Sequence, residues 1–79
     1  MLVTVRMFSN FRKFLPPDAD RDKCVVEIEQ GADVSELLDK LKIPPRMARV
    51  ITVNDTNRKE NYKLDDRDIV KIFPVAMGG

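Results

Sequence analysis

The sequence predicts an α+β fold, a mixed sheet covered on one face by a single helix. Three observations carry this expectation. Residues 2–8, 24–29, 49–53 and 69–73 carry β-branched residues in strand-like runs, most of them alternating apolar with polar positions, the pattern of strands with one buried face. One stretch only, Val34, Leu37, Leu38 and Leu41, follows the i, i+3, i+4, i+7 spacing of a buried helical stripe. The order is therefore β-β-α-β-β, which leaves the positions of the strands within the sheet open.

In the first strand, Val3, Val5 and Met7 take one side and Thr4, Arg6 and Phe8 the other. Residues 9–23 lose the alternation and contain Pro16-Pro17, so they form a long connection. Phe11, Phe14 and Leu15 are expected to fold back onto the domain from it. Cys24, Val26 and Ile28 then face inward from a second strand that pairs with the first as a long-looped hairpin, and Gln30-Gly31 breaks it. Asp33 followed by Glu36 matches a capping box and starts the helix, which Pro44-Pro45 ends. Arg49 to Val53 form the third strand, and Asn54-Asp55-Thr56-Asn57 read as the turn after it. The polar residues 58–63 hold only a short edge strand, and 64–68 read as a tight turn. In the last strand Val70 and Ile72 point inward and Lys71 and Phe73 outward. Pro74 has no N–H for a ladder, so the sheet is expected to end there. The expected organisation is a folded domain over residues 1–73 and a flexible tail over 74–79.

Composition narrows the function classes. Seventy-nine residues allow one small domain. Fourteen Lys and Arg against thirteen Asp and Glu leave a charge of +1, which argues against nucleic acid or an anionic membrane as the main partner. No run of eighteen apolar residues occurs and the opening MLVTVRMF does not read as a signal peptide, so a cytoplasmic location is expected. The absence of histidine removes Ser-His and Cys-His nucleophiles and imidazole-bound metals. The single cysteine, Cys24, excludes an internal disulfide and a paired-cysteine zinc site. Its inward strand position and lack of an activating base make it a plain buried thiol. Asp65, Asp66 and Asp68 lack the further ligands of a calcium loop and read as a solvated turn. Arg46, Arg49, Arg58, Lys59 and Lys63 are too interspersed with acids to form a nucleic-acid patch. No metal and no bound cofactor is expected, and the chain reads as a substrate, carrier or binding module rather than an enzyme.

The informative segment is the end, Pro74-Val75-Ala76-Met77-Gly78-Gly79, which holds two of only three glycines. A terminal diglycine adds nothing to stability and is either an accident of sequence or a device for threading a narrow channel. Without Cβ atoms, Gly78-Gly79 can deliver a main-chain carboxylate into a partner's active site, and six extended residues reach roughly 20 Å. A carboxylate is a poor electrophile until an adenylating partner converts it, with ATP, to an acyl-adenylate open to attack by sulfur.

The opening Met7-Phe8-Ser9-Asn10-Phe11-Arg12, the close Leu64-Asp65-Asp66-Arg67-Asp68-Ile69-Val70 and the ending Phe73-Pro74-Val75-Ala76 before Gly78-Gly79 resemble the MoaD/ThiS family of ubiquitin-like sulfur carriers. The long connection 9–23 is closest to the molybdopterin synthase small subunit (MoaD). The resemblance spans the chain, its middle matching in pattern rather than in motif. It implies a β-grasp fold, adenylation of Gly79 by an E1-like enzyme of MoeB/ThiF type, and conversion to a thiocarboxylate by a sulfur donor protein. It further implies a large synthase subunit of MoaE type as partner and a role in molybdenum cofactor biosynthesis. In a β-grasp sheet the first and last strands are neighbours, so Phe8 and Phe73 are expected on one exposed docking patch rimmed by Arg6 and Lys71. The tail residues Pro74, Val75, Ala76 and Met77 would add to partner binding. Arg67 stands at a usual turn glycine, Met77 at a usually small residue, and a single Pro74 at a frequent double proline. A thiamine-type or other-pathway carrier, a protein modifier conjugated through Gly79, and a β-grasp interaction domain with an inert tail remain as alternatives.

Overall fold

The computed structural model describes residues 1–44, 46–47 and 49–75. Five strands form one sheet: β1 (Leu2–Met7), β2 (Lys23–Glu27), β3 (Arg49–Val53), β4 (Thr56–Asn57) and β5 (Ile69–Pro74). Their spatial order is β2-β1-β5-β3-β4. β1 runs antiparallel to β2, with Val3 opposite Val26, and parallel to β5, with Val5 opposite Val70. β3 lies antiparallel to both β5 and β4. The sheet is mixed because the chain's two ends meet side by side at its centre.

Strand alternation aims Val3, Val5, Met7, Val26, Ile51, Val53, Val70 and Ile72 at one face, where helix α1 (Val34–Lys40) buries Val34, Leu37 and Leu38 against them. The cap forms as its spacing predicts: Glu36 N–H donates to Asp33 Oδ1 at 2.9 Å and Asp33 N–H to Glu36 Oε1 at 3.3 Å. The connection after β1 closes into a 3-10 turn, Ser9–Phe14, that drives Phe11 fully into the core, while Phe14 and Leu15 pack partly buried against it.

Several local expectations are corrected. The helix stops at Lys40, before the prolines, because Lys42 takes a left-handed conformation (φ 61°). Ile43 N–H then donates to the Leu38 carbonyl and Lys42 N–H to that of Asp39, the two bonds of a Schellman ending. Pro45, named in the expected helix stop, lies outside the described residues. Asn54 and Asp55 alone make the turn after β3, both with positive φ (52° and 69°), so Thr56 and Asn57 already pair as β4. Residues 58–63 form no strand, apart from an isolated bridge at Lys63. Their carbonyls turn to the helix instead, Glu60 accepting from Ser35 N–H and Tyr62 from Val34 N–H, which satisfies donors at the helix start. Pro74 closes β5 opposite Arg49, one residue beyond the expected end.

Candidate functional site

Among the described residues no helix covers the face of the sheet away from α1. Because β1 and β5 are parallel and in register, Arg6 stands opposite Lys71, and the next outward pair is Phe8 and Phe73. Phe8 N–H donates to the Ile72 carbonyl at 3.2 Å, carrying the pairing one step beyond β1. The two rings stack with centroids 4.7 Å apart and planes 3° from parallel. The Arg6 guanidinium lies 5.1 Å from the Phe8 centroid, a cation–π contact. The sequence-derived patch is thus brought together, at the end of β5 that leads into the tail. Pro74 follows half-buried and Val75 exposed. Ala76, Met77, Gly78 and Gly79 lie outside the described residues.

The expected basic rim is largely neutralised. Arg6 Nη2 donates to Asp22 Oδ2 at 2.8 Å, and Lys71 Nζ to Asp55 Oδ1 at 2.8 Å. The Arg6 hydrogen bond holds the Asp22 carboxyl below its ordinary range, against the opposing effect of desolvation and with lesser help from its charge and that of Arg12. The Lys71 bond does the same for Asp55. Sequence spacing hid both pairs, each sixteen residues apart. For Arg6–Asp22 the β1–β2 hairpin register was the signal, since it sets Asp22 beside Met7 at the strand's end. Between these pairs the face holds a shallow basin of about 680 Å³ along Thr4, Arg6, Lys23, Ile69 and Lys71.

The remaining polar residues are structural. Asp68 is buried rather than part of a solvated turn: it accepts from Asn54 Nδ2 at 2.9 Å and from the Asp65 N–H at 2.8 Å. Among the described residues no three His, Cys, Asp or Glu side chains gather to hold a metal ion. Arg49 donates to the Pro44 and Met47 carbonyls and to Glu60 Oε2, and Arg58 lies over the Tyr62 ring, so these cations belong to the domain's own contacts. Cys24 is buried, and desolvation followed by the charge of Asp18 pushes its thiol up, away from the reactive thiolate. No helix among the described residues is long and apolar enough to cross a membrane.

Solved structures share this architecture. A putative molybdopterin converting factor subunit 1 from Pyrococcus furiosus superposes with a TM-score of 0.73 at 25% identity, over 92% of this chain and 95% of that one. Small archaeal modifier protein 1 (SAMP1) from Haloferax volcanii gives 0.78 at 16% identity, with both chains covered fully. A chain of the protein-protein complex of subunits 1 and 2 of molybdopterin-converting factor from Helicobacter pylori 26695 gives 0.65 at 24% identity, with both chains covered fully. The fold is therefore the ubiquitin-like β-grasp, of the kind found in MoaD-like sulfur carriers. The model of the ThiS family matches residues 5–79, nearly the whole sequence, and the chain belongs to that family. Comparison with curated proteins finds no match.

Proposed function

We propose that this protein carries sulfur on the C-terminal carboxylate of Gly79. The observation that carries the reading is the family match, which runs through residue 79 and so takes in Gly78-Gly79. An E1-like enzyme would join a Gly79 carboxylate oxygen to the α-phosphorus of ATP, releasing pyrophosphate. A sulfur nucleophile supplied by a donor protein would then attack the acyl carbon and expel AMP, leaving a thiocarboxylate. The ATP belongs to the activating partner, so the chain itself acts as a carrier with no bound cofactor, in the cytoplasm, rather than as an enzyme alone. The 25%-identical P. furiosus protein, a putative molybdopterin converting factor subunit 1, supports molybdopterin as the destination of the sulfur, and a large synthase subunit is the partner that the resemblance implies. Phe8 and Phe73, rimmed by Arg6 and Lys71, would dock the partner while residues 74–79 enter its active site.

Deleting Gly79 is expected to abolish adenylation by the E1-like enzyme while leaving the melting curve nearly unchanged. A truncated protein that still accepts AMP would sink the reading, and intact mass of the native protein should show one oxygen replaced by sulfur. Conjugates of higher mass that vanish with Gly79 would instead support the second reading, a protein modifier. That reading uses the same activation and is in keeping with the fold shared with small archaeal modifier protein 1.

A further inference from the structure

Among the described residues β2 is an edge strand, paired on one side only, by β1. The phase of that pairing decides which backbone groups are left over. Ile28 N–H donates to the Met1 carbonyl at 2.9 Å and Met7 N–H to the Asp22 carbonyl at 2.8 Å. Residues 22, 24, 26 and 28 therefore turn their backbone groups to β1, and 23, 25 and 27 turn theirs to the open edge. Lys23 is occupied, exchanging two hydrogen bonds with Asp20 (2.9 and 3.1 Å). The Glu27 carbonyl accepts from Lys40 Nζ at 2.6 Å. Val25 N–H, Val25 C=O and Glu27 N–H take no partner among the described residues, and the Val25 side chain is 64% exposed.

Beside this edge, on the helix side of the sheet, runs a groove of about 380 Å³. Phe14, Pro16, Val26 and Leu41 form its apolar lining, and Lys40 and Lys42 its wall. Lys13 holds its ammonium 5.4 Å from the Phe14 ring centroid. Two lysines thus line an apolar groove into which Glu27 brings one acid, and a third lies over one of its rings.

We propose that the β2 edge and this groove bind an extended segment of a partner protein, added to the sheet as a sixth strand, with apolar residues followed by acidic ones. The unpaired groups of Val25 and Glu27 call for a main chain in β conformation, which supplies affinity by strand addition. Alternation sets the side chains: the residue opposite Val25 lies beside it on the open face, and its neighbours enter the groove against Phe14 and Leu41. The acidic residues answer Lys13, Lys40 and Lys42. A carboxylate that draws Lys40 Nζ away frees the Glu27 carbonyl for a fourth backbone bond. The groove is on the helix side, whereas the Phe8–Phe73 stack is on the open face, so both surfaces can be occupied at once. The inference does not depend on chemistry at Gly79.

The test is an amide NMR titration of the full ¹⁵N-labelled chain with a capped octapeptide, four alternating valines and threonines followed by four glutamates. Shifts are expected at Val25, Glu27 and residues 40–42 but not at Phe8 or Phe73, with the Val25 and Glu27 amides becoming protected from hydrogen exchange. The paired variant K40E/K42E should weaken binding at least about tenfold, and added salt should weaken it for the unaltered chain. A peptide with lysines in place of the glutamates should not bind. The proposal is overturned if saturating peptide leaves both amides unprotected, or if the shifts gather around Phe73. It is equally overturned if protein concentration alone produces the shifts, since the edge then pairs two copies of this chain.

Discussion

Arg67 sits at the third position of the turn closed by Asp68 N–H and the Asp65 carbonyl, with φ at +70°. A Cβ in that region costs about 1–2 kcal/mol, which the loose 3.8 Å contact with Asp66 does not repay in a side chain 92% exposed. The turn is instead held by backbone and acid: Arg67 N–H donates to the Leu2 carbonyl at 2.7 Å, and Asp66 Oδ1 accepts from Leu2 N–H. Arg67→Gly should therefore stabilise the protein by about 0.5–1 kcal/mol, glycine's greater freedom in the unfolded chain taking back part of the gain. Urea denaturation measures it, and a lower midpoint would mean that the arginine makes a contact worth more than its strain. The Arg6–Asp22 pair gives a second test at this scale. Asp22, held below its ordinary 3.8 by the Arg6 hydrogen bond, should show a carboxyl carbon titration midpoint under that value. Arg6→Ala should move the midpoint back up. The pair's contribution to stability is present in full above the ordinary value and is lost as pH falls through the depressed one.

At the scale of elements, two strands that are far apart in sequence create the proposed docking surface by lying parallel and in register. Phe8 directly follows one and Phe73 nearly ends the other, so neither alone forms the stack. Phe73→Ala removes one ring of an offset pair and should cost the fold about 1 kcal/mol, since Val70 and Ile72 hold β5 by the opposite face. Affinity for the activating enzyme or the synthase partner should fall by about thirtyfold or more, roughly 2 kcal/mol, as expected for an aromatic hot spot. Calorimetric titration beside a melting curve separates these effects; full affinity with a large drop in melting temperature would make Phe73 a core residue. The short β4 and the residues after it show how one element supports another. A two-residue turn at Asn54-Asp55 starts β4 early, and the following carbonyls are then free to accept from the helix start.

For the molecule as a whole, β5 is the central strand, with β1 on one side and β3 on the other. Ile72, fully buried, lies opposite Met7 and Ile51. Ile72→Ala should cost about 2–5 kcal/mol through lost burial and an unfilled cavity, a large share of the roughly 5–15 kcal/mol that holds a domain together. Guanidinium unfolding checks it, and a loss below about 1 kcal/mol would show that the core collapses around the gap. Because β1 and β5 come from opposite ends of the chain, a defect in the last strand undermines the first, and with it both halves of the Phe8–Phe73 face.

Features governed by neighbours in the chain were legible from the sequence. Strand parity placed Val3, Val5, Val70 and Ile72 inside and Phe73 outside. The spacing of Asp33 and Glu36 gave a capping box. Gly78-Gly79 and the flanking motifs pointed to the family, because a run of residues can be matched without its tertiary framework. What depends on contacts between distant segments was decided by the tertiary structure alone. The positive φ at Lys42, which ends the helix before Pro44, is set by a Schellman closure around Ile43 and Leu38 that residue preferences do not foretell. The neutralising acids Asp22 and Asp55 reach Arg6 and Lys71 only once the strands are registered. Burial of Asp68 depends on Asn54 arriving from another turn. The open hydrogen-bonding edge of β2 exists only because the sheet places that strand last in its row, and a strand's position in a sheet is a relation among strands that alternation within one strand does not encode.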